Sequence, residues 1–495
     1  MKLPGRLAGN KGLIFSCVID ELKKEISNCD DVIVREFVVS HTKYYVLFIE
    51  EFTNREVVEE RIIQPLLRIE VLEKAGDIHT LKNKFLPLGQ VFITENKEEA
   101  LRKLFSGCTL LVKEQSGSIL VIDASDIAER AVSEPGIETV VRGPRDAFTE
   151  NFKTNISLIR KRIKNKDLKA EFFNLGKRTH TSLCLMYMES IALPDLLREA
   201  KDRLQKIDLD AVLESGYIEQ FIEDSPFSPF PQVLYTERPD KVAAALLEGR
   251  IAIIVDGTPL VLIIPTVFNE LFIAGDDYYE RVFYGSFIRF FRFLASITGL
   301  MAPSFYIAFA SYHPELLPTE LALSLAGGRV RVPFPPIIEI VIMEFVVEIL
   351  REASIRLPGK IGPTIGIVGA LVLGEAAVAA NLVSPSLLII VAITAIGNNA
   401  VPNYSVGATL RFLRFFLVMT TFFLGLYGLI MGMVFILIHL CSLKSFGVPY
   451  LAPYAPLRLK DLKDTFIRLP LWLLKTRPRY LRPLDKKRLK RGKRS

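Results

Sequence analysis

The sequence predicts an α/β region of two subdomains followed by an all-α polytopic membrane domain, on three observations. Half of the 495 residues are hydrophobic, yet roughly the first 280 read as a globular α/β protein. Two stretches carry no charge and are long enough to cross about 30 Å of hydrocarbon: 293–312, with 20 residues, and 415–438, with 24. The apolar run between them carries carboxylates, which membrane helices normally avoid.

The first α/β subdomain is predicted at 1–141. Residues 30–39 and 43–52 are rich in β-branched and aromatic side chains and predict strands. The stretch 54–69 repeats apolar residues at helical spacing. Residues 109–122 predict a hairpin that turns at Ser-Gly-Ser.

The second α/β subdomain is predicted at 142–280. It opens with a basic helix in 151–168 and continues with a strand at 181–188. Residues 249–265 predict a hairpin with Asp256 and Gly257 at its turn, because Asp-Gly is a favoured turn pair. The basic cluster on the helix predicts a solvated face, or a contact with acidic lipid or a neighbouring subunit; it comprises Arg160, Lys161, Arg162, Lys164 and Lys166.

Enzyme chemistry is not indicated. The chain lacks a GxxxxGK[ST] phosphate loop, an HExxH motif and a GxSxG elbow, and its five histidines are far apart in sequence. The five cysteines are scattered and show no CxxC spacing, which argues against a disulfide framework or a zinc site. We therefore expect no catalytic residue, no metal and no cofactor.

The membrane domain is predicted at 281–443. Besides 293–312 and 415–438, the segments 361–380 and 385–400 are apolar enough to cross, whereas 336–357 carries four Glu and two Arg. That segment suits an interfacial or pore-facing amphipathic helix better than a lipid-exposed span. Four crossings are therefore favoured.

Charge predicts the topology. Arg281, Arg289 and Arg292 precede the first span, and the basic C-terminal tail 444–495 holds 16 Lys and Arg against three Asp, a net charge of +13. Both ends should therefore be cytoplasmic. The tail has no aromatic-interleaved motif, so we expect anionic lipid rather than nucleic acid as its partner.

Five ordered stretches resemble one family, the A subunit of the GerA-type nutrient germinant receptors of spore-forming bacteria. They are RGPRDAFTENFKTNISLIRKRIK (142–164), GRIAIIVDGTPLVLIIP (249–265), VPFPPIIEIVIMEFVVEILREASIRLP (332–358), IGIVGALVLGEAAVAANLVSP (365–385) and SFGVPYLAPYAP (445–456), the last continued by LKDTFIRLPLWLLKTRP. The sequence departs from the family pattern at Glu375, where Gln is more usual, and in the polar stretch AIGNNAVPNY.

The resemblance implies a multi-pass protein of the spore inner membrane that takes part in germination. It implies a homo-oligomeric ring, thought to be a pentamer, that conducts monovalent cations when nutrient is present. It also implies two partners, a transporter-like B subunit and a lipoprotein C subunit. Two alternatives stay open: a non-conducting scaffold for those subunits, and an amplifier paralogue of the same fold.

A carboxylate stripe is the first pore candidate. Glu344, Glu348 and Glu352 are spaced four residues apart and share one helix face, whereas Glu339 lies roughly 140° away. In a ring of subunits, each position would form a ring of carboxylates that concentrates cations. Local pairing of Glu348 with Arg351 and of Glu352 with Arg356 is the competing interpretation.

The next helix offers a second candidate. Ile365, Val368 and Val372 share a face with Glu375, so the aliphatic members predict a dewetting gate and the carboxylate a pore position. Glycines on this helix and in the last span predict close helix packing. They are Gly362, Gly366, Gly369, Gly428 and Gly432.

Overall fold

The computed structural model describes residues 11–39, 42–67, 91–114, 116–125, 135–136, 138–357 and 361–489. Side chains of 11–17, 361–368 and 371 lie outside this description. The chain divides into two compact units. An α/β unit comprises 1–223, 233–265 and 476–495, and a helical unit comprises 224–232 and 266–475.

The first sheet of the α/β unit has five antiparallel strands in the order β1-β2-β4-β5-β3. Its helices are α1 (Lys11–Glu25), a π-helical turn (Val57–Ile63) that runs into α2 (Gln64–Leu67), and α3 (Lys97–Leu104). The strands are β1 (Val32–Val39), β2 (Thr42–Ile49), β3 (Val91–Thr94), β4 (Thr109–Lys113) and β5 (Ile119–Ile122). Buried apolar residues cover both faces of the sheet. The predicted strands and the 109–122 hairpin are confirmed.

The second sheet repeats this arrangement. Its five antiparallel strands follow the order β6-β7-β9-β10-β8, which is the order of the first sheet shifted by five. The strands are β6 (Leu168–Leu175), β7 (Thr181–Met188), β8 (Leu234–Thr236), β9 (Ile251–Val255) and β10 (Val261–Ile264). The helices are α4 (Phe152–Arg162), α5 (Pro194–Gln205), α6 (Ser215–Ile222) and α7 (Pro239–Glu248). The α/β unit is therefore a structural duplication.

A buried ion pair joins the two α/β subdomains. Arg160 on α4 is fully buried, and its Nε and Nη2 donate to Asp31 Oδ2 and Oδ1 at 2.7 and 2.9 Å. Its Nη1 donates to the carbonyl of Leu168 at 2.8 Å, so three guanidinium nitrogens are satisfied. The prediction of a solvated basic face is wrong for Arg160, because its partner is 129 residues away in sequence.

In the described part of the helical unit, six helices have 11 or more residues. They are α8 (Val282–Ile307, extended by a π-helical turn Ala308–Tyr312), α9 (Thr319–Arg329), α10 (Pro336–Arg356), α11 (Ile361–Ala379), α12 (Pro385–Asn399) and α13 (Tyr404–Ser442). Among the described residues, Val282–Tyr312 and Tyr404–Ser442 are long and apolar enough to cross a membrane by length and composition.

Helix α13 is a hairpin of two limbs, 404–424 and 426–442. Gly425 between them has φ 57° and ψ −141°, a conformation that ends a helix. The limbs pack side by side, because the rings of Phe416 and Phe435 lie 5.8 Å apart between centroids. Both open ends reach one loop: Thr409 Oγ1 donates to the Pro229 carbonyl and His439 Nε2 lies 2.9 Å from Ser228 Oγ. The prediction of one span over 415–438 is therefore wrong.

Contacts along the bundle define two antiparallel pairs of helices. Helix α10 runs antiparallel to the first limb of α13, because Glu344 pairs with Arg414 and Glu348 with Arg411. Helix α12 likewise runs antiparallel to α8: Ser384 meets Tyr306, whereas Asn398 meets Gly299. Helix α10, expected outside the set of lipid-exposed spans, packs within the bundle, and α13 folds back at Gly425. Four membrane crossings stay a prediction.

A buried ionic network lies at the base of the bundle, where the chain enters and leaves it. Asp277 accepts from Arg289 Nε at 3.2 Å and from Arg292 Nη1 at 3.0 Å. Arg289 Nη1 also bonds Asp464 Oδ1 at 2.9 Å, and Asp464 Oδ2 accepts from Tyr278 at 2.7 Å. Two of the three arginines used to predict topology are therefore neutralised by ion pairs, which sequence position did not indicate.

Candidate functional site

A buried ion pair holds α10 against the first limb of α13. Glu344 is 5% exposed and Arg414 is 3% exposed, and Arg414 Nη1 bonds Glu344 Oε2. Within the described part of the chain, Glu344 Oε1 and the Nε and Nη2 of Arg414 find no hydrogen-bond partner. Because both side chains are shielded from water, removing either one would leave the other as a buried charge without compensation.

The rest of the predicted stripe is also paired within the chain. Glu348, whose side chain is 45% exposed, lies 3.3 Å from Arg411 Nε and 3.9 Å from Arg351 Nε. Glu352 forms an exposed pair with Arg356. The stripe therefore meets arginines of its own chain at every position. The pore-lining role of this stripe stays a prediction.

Glu339 has a role that its sequence position did not indicate. It is fully buried, its Oε2 accepts from the backbone N of Ser384 at 2.9 Å, and its Oε1 lies 3.2 Å from Arg329 Nε. One carboxylate thus caps the N-terminus of α12 and binds the last turn of α9. In the sequence, Ser384 followed by Pro385 indicates the start of a helix. This pattern does not indicate which distant residue accepts a hydrogen bond from the Ser384 backbone.

Helix α11 presents the other candidates differently. Glu375 and Val372 are exposed, Val372 at 57%, and they lie on one face of the helix. Glu375 has no ion-pair partner among the residues the structure describes. The side chains of Ile365 and Val368, and the surroundings of Gly362 and Gly366, lie outside the described residues.

The described glycines allow helices to approach closely. A Cβ on Gly369 of α11 would lie 2.9 Å from Leu350 Cδ2 on α10. In the α13 hairpin, a Cβ would lie 2.0 Å from the Thr420 carbonyl oxygen at Gly428 and 2.8 Å from Leu417 Cδ2 at Gly432. At Gly428 the neighbour is backbone, so a side chain has no room there, whereas at Gly369 and Gly432 a flexible Leu side chain would have to shift; all three glycines are packing contacts.

Among the described residues of the α/β unit, burial strongly raises the pKa of two acids, Glu219 to about 7 and Glu51 further. Burial, with the nearby Asp31 carboxylate next in importance, raises the pKa of Glu51 to about 8. Both Glu51 carboxyl oxygens are buried without a hydrogen-bond partner among described residues. No group of three or more His, Cys, Asp and Glu side chains that could hold a metal ion occurs in the described ranges.

The architecture is of the α/β-plus-helical-bundle class, and the residues that the structure describes include two apolar elements long enough to cross a membrane. Residues 20–480 match the family described as Bacillus/Clostridium GerA spore germination protein, so the chain belongs to the GerA family. The resemblance stated from the sequence is confirmed.

Relatives align over nearly the whole chain. Spore germination protein KA of Bacillus subtilis (strain 168) is 42% identical over 95% of this chain and 87% of its own length. Spore germination protein GerLA of Bacillus cereus is 39% identical, covering 97% and 98%. An uncharacterized membrane protein, YfkQ of Bacillus subtilis (strain 168), is 38% identical over 93% and 90%.

One solved structure is also similar: the N-terminal domain of the A subunit of the Bacillus megaterium spore germinant receptor GerK3. It is 32% identical, covers 50% of this chain and 94% of the solved chain, and superposes with a TM-score of 0.38.

Proposed function

We propose that this chain is the A subunit of a nutrient germinant receptor in the spore inner membrane, and that it forms a ring whose lumen conducts monovalent cations. The proposal rests on whole-length similarity to spore germination proteins. B-type and C-type receptor subunits are its partners. Six passes cross the bilayer, namely α8, α10, α11, α12 and the two limbs of α13, and both the α/β unit and the tail lie on the cytoplasmic side.

The exposed carboxylate of Glu375 carries the channel proposal. A carboxylate at mid-bilayer costs about 2.5 to 3.5 kcal/mol when it faces lipid. Glu375 lies in an otherwise uncharged helix, and no cation of its own chain meets it among the described residues. A water-filled lumen at the centre of a ring removes that cost, because it keeps the carboxylate hydrated. Helix α11, rather than α10, therefore lines the path.

Val372 is the gate residue of this proposal. It lies on the same face as Glu375, about one turn away, and is 57% exposed in the single chain. A ring of valines narrow enough to expel water blocks ions until the ring widens. Val372→Ala should therefore give nutrient-independent ion release, measured as germination without nutrient in spores that contain normal amounts of the variant.

Planar-bilayer recording of the purified full-length chain tests the channel directly. Glu375→Gln should move the reversal potential in a KCl gradient toward zero, because each subunit loses a lumenal charge. The matched control is Glu352→Gln, which removes an exposed carboxylate already paired with Arg356. An unchanged reversal potential in Glu375→Gln channels, or an equal shift in the control, would exclude this pore.

A non-conducting scaffold is the second candidate, and the paired stripe of α10 favours it. Glu344 and Glu348 bind arginines of the same chain, as interhelical salt bridges in a scaffold would. A scaffold predicts no current from purified protein at any nutrient concentration. It also predicts that Glu375→Gln spores germinate normally once the subunit is present at normal abundance.

A further inference from the structure

An exposed aromatic surface covers one face of the first turns of α8, at the base of the bundle. Its exposed members on this helix are Phe283, Tyr284, Phe287, Phe290 and Phe291. The rings of Phe287 and Phe291 lie 4.5 Å apart between centroids, and the ring of Phe290 meets that of Phe291 edge-on at 6.1 Å, so these three rings form a continuous patch. The uncharged stretch 293–312 of the same helix begins directly after this patch.

A segment of the C-terminal tail, residues 466–473, lies along these turns. The Arg468 backbone N donates to Ser286 Oγ at 3.1 Å, and the Phe466 and Phe293 rings meet at 4.7 Å. These contacts fix the backbone of the segment on α8. Its large apolar side chains nevertheless stay exposed: Ile467 at 64%, Leu471 at 53% and Trp472 at 57%.

We propose that residues 466–473 form an interfacial anchor that inserts into the headgroup layer of an anionic bilayer, together with the aromatic patch of α8. Trp and aromatic side chains are enriched at this depth, because their rings are apolar and their polar atoms remain hydrated. The patch adjoins the uncharged stretch of α8, which places it at the edge of the hydrocarbon.

Charge identifies the lipid class. Lys460, Lys463 and Lys475 flank the anchor and are exposed, so they can contact acidic headgroups while the apolar side chains insert. The inference rests on the proposed membrane location of the bundle. A second copy of the chain covering the same patch is the alternative outcome of the test.

Trp472 makes the test specific, because it is the single tryptophan of the chain. The full-length protein would be reconstituted into vesicles of phosphatidylcholine and phosphatidylglycerol that carry nitroxide quenchers at the headgroup or at the acyl-chain end. We expect stronger quenching by the headgroup probe than by the chain-end probe, and weak quenching by aqueous iodide. Replacing phosphatidylglycerol with phosphatidylcholine should reduce the lipid quenching.

Two other results would overturn the anchor. Strong iodide quenching with little lipid quenching would place Trp472 in water. Blue-shifted emission that neither lipid nor iodide quenches would place it against a second copy. In both cases the protein would still float with the vesicles, so the membrane location would stand. A protein that does not float with vesicles would contradict the proposed function as well.

A variant pair tests the cause of insertion. Ile467→Ser combined with Leu471→Ser should convert headgroup quenching of Trp472 into iodide quenching, because it removes two of the exposed apolar side chains. Leu213→Ser is the matched control, since Leu213 is 65% exposed on the α/β unit. Unchanged quenching in a folded double variant would also contradict the anchor.

Discussion

Replacing Arg414 with Leu should leave Glu344 as an uncompensated charge inside the bundle. Both side chains are at most 5% exposed, and their remaining polar atoms have no other partner among the described residues. Removing one partner of so dry a pair costs about 3–5 kcal/mol, because the other charge stays desolvated. We expect that loss for Arg414→Leu and a comparable loss for Glu344→Leu.

The double variant should recover most of the loss. Replacing both members of a buried pair with apolar residues of similar volume is often neutral or stabilising. The two changes should therefore couple by roughly 3 kcal/mol or more in a double-mutant cycle. The neighbouring Glu348–Arg411 pair is a matched control. Its carboxylate side chain is 45% exposed, so solvent screens it and its cycle should give about 1 kcal/mol or less.

The assay is unfolding of the full-length chain in detergent micelles by added SDS, followed by far-UV circular dichroism. Trp472 emission provides a second probe of the same transition. A cost below about 1 kcal/mol for Arg414→Leu would refute the buried seam. It would mean that Glu344 is hydrated, as a carboxylate ring in an aqueous lumen would be.

Three further predictions concern the framework. Gly425→Ala should destabilise the hairpin of α13 by about 1–3 kcal/mol, because its φ of 57° with ψ of −141° suits glycine alone. The control is Gly327→Ala, whose Cβ would meet nothing within 4 Å. Equal SDS midpoints for the two variants would contradict the role of Gly425. Arg160→Met should cost about 3–5 kcal/mol in the same unfolding assay, because the buried Asp31 loses its partner, and a neutral effect would contradict the role of this pair in joining the two subdomains. Glu51, whose pKa rises to about 8 on folding, should make the chain less stable as pH increases from 4.5 to 8, since the unfolded state releases its proton first. Glu51→Gln should flatten that slope, and a slope that persists in this variant would exclude Glu51 as its source.

Local patterns predicted the parts of the fold that are local. The hairpin at 251–264 is confirmed, and its connection, 256–260, begins with Asp256 and with Gly257, whose φ of 85° suits glycine. Strand Thr181–Met188 coincides with its predicted range. Alternation of β-branched residues and a turn pair suffice for such elements, because their partners are only a few residues away.

Long-range pairing explains what sequence patterns missed. Arg160 looked like one member of a basic run, yet it binds Asp31 in the preceding subdomain. The repeated strand order of the two sheets is a property of topology, and the two sequences share no obvious period. Gly425 stands in an apolar run with Gly428 and Gly432, so nothing local distinguishes the glycine that reverses the chain from those that only pack.

The candidate site shows the same division. Helical spacing correctly placed three glutamates of α10 on one stripe, but the stripe faces Arg411 and Arg414 of another helix of the same chain. Spacing alone cannot tell a lumen from an internal seam, since both select polar residues on one face. Burial shows that Glu344 lies in an internal seam, whereas Glu375 on α11 is exposed, which is why the proposed lumen is placed there.

Single-particle imaging of the full-length chain in lipid nanodiscs tests the central claim most directly. The account predicts a closed symmetric ring in which α11 surrounds the axis and Val372 and Glu375 face the lumen. A single chain in each disc would contradict the account. So would a ring in which α11 lies on the lipid-facing perimeter.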